Sequence, residues 1–148
     1  MSNTSNRELT ITRLLNAPIE LVWQVFTEPE HIKNFWGPSG YTNTITKMDV
    51  KVGGEWAFIM HGPDGTDYEN KHIYLEIKKP VRLVMQHATT PKFITAITLK
   101  AEGKKTLLHW SGVFESAEQL EQILNTVKEA KNGLKENVDK LETYLYKL

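Results

Sequence analysis

The spacing of hydrophobic and polar positions changes several times along the chain, and each change marks an element. From Arg7 to Leu15 the pattern alternates, with Leu9, Ile11 and Arg13 on one side, which predicts a first strand. In "NAPIELVWQVF" the period lengthens. Ile19, Val22, Trp23 and Phe26 stand at i, i+3, i+4 and i+7, one face of a helix. Pro18 suits its first turn, where a missing N–H leaves no bond unmade. Pro29 opens a second short helix that turns Ile32 and Phe35 inward. "WGPSG" stops it, Gly37 and Gly40 permitting backbone angles closed to other residues.

Strand patterns follow. Thr44 to Val50 is one candidate, and Gly53 to Ile77 reads as a long hairpin turning at "HGPDGTD". Its first arm aligns Trp56, Phe58 and Met60. In its second arm Ile73, Leu75 and Ile77 form the more apolar set and are expected inside. His72, Tyr74 and Glu76 then point out, unless a bulge shifts the parity. The next strand aligns Leu83, Met85 and His87. A second hairpin around Glu102 to Lys104 puts Phe93, Thr95, Ile97 and Leu99 on one face of its first arm. Leu108, Trp110 and Phe114 share a face of the second arm.

The final pattern is the clearest. Ser116 with Gln119 forms a capping-box signature. An apolar stripe then runs through Leu120, Ile123, Leu124, Val127, Ala130, Leu134, Val138, Leu141, Leu145 and Leu148, against a wet face of Lys and Glu. This predicts one helix of about 45 Å, with Asn125 a candidate break. Only a large sheet covers such a stripe within one domain. The expected architecture is α+β: a curved antiparallel sheet of about six to seven strands around a long C-terminal helix, with two short helices after the first strand. Residues 1–6 are expected to form a flexible tail and 7–148 a single domain.

Composition narrows the function classes. The chain has 148 residues, 40% apolar and 24% charged, with zero formal net charge and no cysteine. The charge balance gives no basis for steering toward nucleic acid. Without cysteine there is no disulfide, thiolate nucleophile or thiolate zinc site. No apolar run has the length of a signal peptide or a membrane span, so no membrane insertion is expected and a cytoplasmic location is the default. The five histidines lack the close spacing and carboxylate company of metal ligands, so no metal is expected. His61 and His72 would meet only if the hairpin register set them opposite one another. Ser111 has no nucleophile-elbow context and "GPDG" is a turn rather than a phosphate loop. Asp64, Asp67, Glu28 and Glu30 sit at turns and helix starts, where carboxylates cap the backbone.

The ordered motifs "APIELVWQVFTEPEHIKNFWGP", "GGEWAFIMHGPDGTDYENK", "YLEIKKPVRLV" and "LKENVDKLETYL" resemble the START-like (SRPBCC) superfamily. More narrowly, they resemble the family homologous to the C-terminal domain of the activator of the heat-shock protein 90 ATPase. The likeness spans about Leu9 to Leu145. It implies a helix-grip fold with a cavity between the sheet and the last helix. Two departures, Phe35-Trp36 where members often pair tryptophans and Gly133-Leu134 where many have Gly-Trp, imply an altered ligand preference.

The residues alone leave two readings of the Trp56–Phe58–Met60 face. Alternating aromatics read first as plain core, whereas the resemblance makes them the lining of a hollow. On the second reading Phe58, Met60, Met85, Phe93, Trp110, Leu134 and Val138 line a pocket. His87 and Thr95 supply polar contacts, and Trp36 and Tyr41 stand at its mouth. The expected function is binding of a small, largely hydrophobic molecule, with no cofactor. The resemblance leaves two other functions open. One is a co-chaperone-like protein-interaction domain, although no protein partner is indicated by the charge pattern. The other is a cavity enzyme of polyketide cyclase or dehydratase type, in which His87 would be the acid or base.

Overall fold

The computed structural model of the protein describes residues 5–89, 92–126 and 130–148. A short 3-10 turn, Ser5–Arg7, leads into β1 (Glu8–Leu15), then α1 (Ile19–Thr27) and α2 (Pro29–Ile32). Six strands follow: β2 (Thr42–Met48), β3 (Glu55–His61), β4 (Asp67–Lys78), β5 (Arg82–His87), β6 (Phe93–Glu102) and β7 (Lys105–Phe114). The helices α3 (Ala117–Thr126) and α4 (Ala130–Tyr146) complete the chain. All seven strands form one antiparallel sheet in the order β1-β7-β6-β5-β4-β3-β2. The C-terminal strand of the hairpin series therefore pairs with the first strand, and β2 stands at the far edge. This is the α+β helix-grip arrangement, with an open curved sheet and a terminal helix.

The apolar stripes decide which faces are buried. Val22, Trp23 and Phe26 of α1 are buried as the spacing predicts, and Val25 joins them. Val138 and Leu141 of α4 are fully buried and Leu145 is nearly so. Each such side chain contributes about 1.5–3 kcal/mol relative to exposure. Leu148, expected in the same stripe, lies beyond the end of α4 and is exposed. Asn125 falls inside α3, and the Val127 position of the stripe lies outside the described residues. Charge fastens the helix to the sheet. Arg13, on the inner side of β1, meets Asp139 at 2.9 Å and Glu142 at 3.2 Å. Hydrogen bonds from Lys135 and then Arg13 hold the Asp139 carboxyl below the usual carboxylate range.

Local chemistry fixes the ends of the elements. Ser116 Oγ accepts the Gln119 N–H at 3.0 Å, the forward half of a capping box. The Gln119 side chain reaches one residue further back than that motif requires, accepting the N–H of Glu115 at 3.0 Å. Asp64 accepts the Thr66 N–H at 3.0 Å inside the β3–β4 turn, and that bond lowers its pKa. At Gly54 an added Cβ would run into the Asp49 carbonyl oxygen, so the backbone approach there demands glycine.

The sheet carries two irregularities. In β2 the register shifts between Ile45 and Lys47. In β4 it shifts between Tyr74 and Glu76, placing Leu75 in a bulge. The second bulge corrects the expected inward face of β4. His72 and Tyr74 are buried at 2% and 1% exposure, while Leu75 is exposed. After the bulge, Ile77 pairs with Leu83 and packs against the core as expected.

Candidate functional site

Register aligns the concave face into transverse rows. One row crosses β3 to β5 as Trp56, His72 and His87. The neighbouring row crosses β4 to β1 as Tyr74, Met85, Thr95, Gly112 and Leu9. Over the end of these rows stand the loop Trp36–Gly37–Pro38 and the α4 residues Gly133, Leu134 and Asn137. Between floor and roof is a cavity of about 240 Å³.

Of the residues expected at a pocket, Trp36, Met60, His87, Phe93, Thr95, Trp110 and Leu134 line this cavity. Trp36 is part of its wall rather than its rim: it is 8% exposed and stacks on Trp110 at 5.2 Å. Phe58 and Met85 lie beneath the surface of the floor, and Val138 packs into the core one turn beyond Leu134. Tyr41 stands beside the hairpin at 6.2 Å from Tyr68 and does not line the cavity. The aromatic face of β3 thus divides. Trp56 and Phe58 are packed core, stacked on one another at 4.2 Å, and Met60 borders the hollow.

The spacing pattern missed His72, Asn70, Asn137, Gly112 and Phe114 as lining residues. Gly112 lies between Trp110 and Phe114, and a Cβ there would meet only the Phe114 ring, at 3.9 Å. Its missing side chain deepens the floor. The signal for it was legible: a glycine at an inward position of an otherwise bulky strand.

The roof is held by polar contacts. Asn137 is 5% exposed; its Nδ2 donates to the Phe35 carbonyl at 2.7 Å and its Oδ1 accepts the Gly37 N–H at 2.9 Å. Lys140 donates to the carbonyls of Pro38 and Tyr41 at 3.2 and 3.0 Å, and burial lowers its pKa. Gly37 has φ +95° and a Cβ there would come 2.6 Å from Met60 Cε, so glycine is required where the loop crosses the cavity. Gly133 differs. An added Cβ would meet Pro38 Cγ at 3.8 Å, an ordinary contact. Gly133→Ala is therefore expected to raise the unfolding free energy by about 0.5–1 kcal/mol, through helix propensity alone. Urea denaturation of the two proteins measures it.

His72 and His87 face one another across β4 and β5, their rings 5.0 Å apart. Asn70 Oδ1 lies 2.8 Å from His87 Nε2, and His87 stacks on Phe93 at 4.7 Å. His72 stacks against Trp56 and Phe58. Its Nδ1 has no hydrogen-bond partner among the described residues. Burial, and secondarily the adjacent His87, push its pKa down to about 3, so the ring is neutral at physiological pH. His61 pairs with Asp67 rather than His72. Among the described residues no group of three or more His, Asp and Glu is placed to hold a metal ion. No described helix is long and apolar enough to cross a membrane.

Size and chemistry define what the cavity can do. A dry apolar void of this volume would cost about 6 kcal/mol, a large part of the 5–15 kcal/mol that stabilises a typical domain. The stable state in solution is one in which water or another molecule fills it.

The fold is shared with solved structures of several bacterial proteins. One from Arthrobacter aurescens is 21% identical, with 100% of this chain and 91% of that chain aligned at a TM-score of 0.90. One from Nitrosomonas europaea is 24% identical, with 97% and 96% aligned at 0.85. The AHSA1-like protein from Aeromonas hydrophila is 18% identical, with 94% and 92% aligned at 0.76. No curated protein matches the sequence. Residues 16–146 match the family described as Activator of Hsp90 ATPase homolog 1-like protein. With nearly the whole sheet, both short helices and the terminal helix inside that match, the chain belongs to this family, of START/SRPBCC type.

Proposed function

We propose that the protein binds a small, largely hydrophobic molecule in the cavity between the sheet and α4. The family's fold commonly serves this purpose. The observation that carries the reading here is the cavity itself: about 240 Å³, walled by Trp36, Trp110, Phe93, Phe114 and Leu134. The enzymatic reading has less support. His72 and His87 are adjacent, but among the described residues no carboxylate lines the cavity to orient either imidazole as a base.

Amide chemical shifts followed during titration with neutral aromatic fragments (naphthalene, indole and 2-naphthol) test the proposal. Saturable shifts are expected at Trp36, Thr95 and Leu134. They should weaken at least tenfold in Gly112→Leu, which fills the floor. Wild-type spectra without saturable shifts at these residues would refute the reading.

A further inference from the structure

On the outer face of the sheet, away from the cavity, three polar side chains are joined in line. His61 ends β3 and Asp67 opens β4, and the register sets them directly opposite one another. The turn between them is tied by the Gly62 N–H on the Thr66 carbonyl at 2.7 Å and the Thr66 N–H on Asp64 at 3.0 Å. Asp67 Oδ1 lies 2.7 Å from His61 Nδ1. Thr44 Oγ1, on the edge strand β2, lies 2.8 Å from His61 Nε2. Met60, the preceding residue, borders the cavity, so alternation turns His61 to the opposite face.

The bonds assign the roles. An ionised carboxylate only accepts, so the proton of the neutral ring sits on Nδ1. Nε2 then carries the lone pair, and the Thr44 hydroxyl donates to it. Threonine is stiff at χ1, which holds that hydroxyl in place. The sequence of hydroxyl, imidazole and carboxylate is the order of nucleophile, base and orienting group in acyl transfer. The His61 side chain is 35% exposed, so a reagent in solution reaches it. Thr44 also borders a depression of about 410 Å³ with Pro29, Glu30, Lys33 and Ile45. A small acyl group fits there.

We propose that Thr44 is an acylation site, taking the acyl group of an activated ester, with His61 as general base and Asp67 as the positioning residue. The Thr44 oxygen bonds to the acyl carbon while Nε2 takes its proton. The carbon–oxygen bond to the leaving group then breaks, and the leaving oxygen keeps the electron pair. Nε2 releases its proton to that oxygen or to water, and the product is a threonine ester.

The test uses 4-nitrophenyl acetate as the probe and peptide mass spectrometry to assign acetyl groups along residues 42–46. Thr42 and Thr46 flank Thr44 on β2 and are also exposed, so they serve as internal controls. General-base assistance in enzyme sites is worth about 10²–10⁴. At this open site Thr44 should be acetylated at least tenfold faster than either control. His61→Gln should bring Thr44 down to their rate. Asp67→Asn should slow it at least fivefold, because an amide can donate to Nδ1 and reverse the tautomer; Asp67→Glu should restore part of the loss. In wild type the Thr44 rate should rise with pH and level off once the ring is neutral, whereas in His61→Gln it should keep rising. Either of two results would overturn the proposal: Thr44 acetylated no faster than Thr42 and Thr46 in wild type, or its advantage surviving in His61→Gln. The first comparison is made within the native protein, so it does not depend on how any variant folds.

Discussion

Replacing Asn137 with leucine is expected to lower the unfolding free energy by about 2–4 kcal/mol at neutral pH. The side chains are close in size, so the loss is not one of volume. It comes from two backbone groups. In the native protein the Phe35 carbonyl and the Gly37 N–H both bond to the Asn137 amide, at buried positions. Leucine would leave each without that partner, and an unsatisfied buried polar group costs about 1–3 kcal/mol. The part of the cost that water recovers by entering beneath the loop sets where in the range the value falls. Asn137→Asp separates the two bonds: it keeps an acceptor for Gly37 and loses the donor to Phe35. Urea denaturation gives the free energies, and amide exchange at Gly37 reports the loop directly. A loss in Asn137→Leu below about 1 kcal/mol, with Gly37 still protected, would show that the amide does not hold the roof.

The second large effect is a dependence on acid. His72 has a folded-state pKa of about 3, against about 6.5 in an unfolded chain. The sign follows from this depression. Above pH 6.5 both states hold the ring neutral and its full contribution is present. As pH falls below 6.5 the unfolded chain takes up a proton that the buried ring refuses. Stability then declines by about 1.4 kcal/mol per pH unit until the folded pKa near 3 is reached. His72→Phe keeps the stacking with Trp56 and Phe58 and removes the titration. Between pH 7 and pH 4 the wild type should lose about 3 kcal/mol more than the variant. The carboxyls of Glu55, Glu76, Asp64 and Asp139 are also held low, and they add their own decline at lower pH. They are common to both proteins, so the difference isolates the histidine. Parallel stability curves for the two proteins over this range would mean that the folded protein protonates the ring as readily as the unfolded chain does.

The architecture was readable because its largest signals are repeated. The α1 face and the stripe from Leu134 to Leu145 each repeat the same geometric statement over several turns, and no single exception reverses it. The cavity was less readable because its lining depends on single residues. In β4 the apolar set Ile73, Leu75 and Ile77 outvoted the polar one, yet the bulge at Leu75 turns His72 and Tyr74 inward and still returns Ile77 to the core. Burying the imidazole is tolerable where Trp56 and Phe58 stack on it, a circumstance that alternation does not encode. Asn137 shows the same gap. It stands three residues after Leu134 on the inward face, but its polarity argued against burial, and the two backbone groups that satisfy it come from a loop about a hundred residues away. The rim residue Tyr41 was placed by its proximity to Gly40; its side chain turns instead toward Tyr68.

The register shift between Ile45 and Lys47 bears on how the protein behaves in a crowded solution. β2 is the last strand of an open sheet, and among the described residues one side of its backbone has no neighbouring strand. A straight, regular border of that kind invites a second copy to continue the ladder, the first step toward fibrils. Here the register shift interrupts the regular ladder midway, and beside it stands Lys47, an exposed side chain whose ammonium pairs with Glu55 at 3.4 Å. The border is self-limiting: a docking strand would lose its regular pairing where the register shifts.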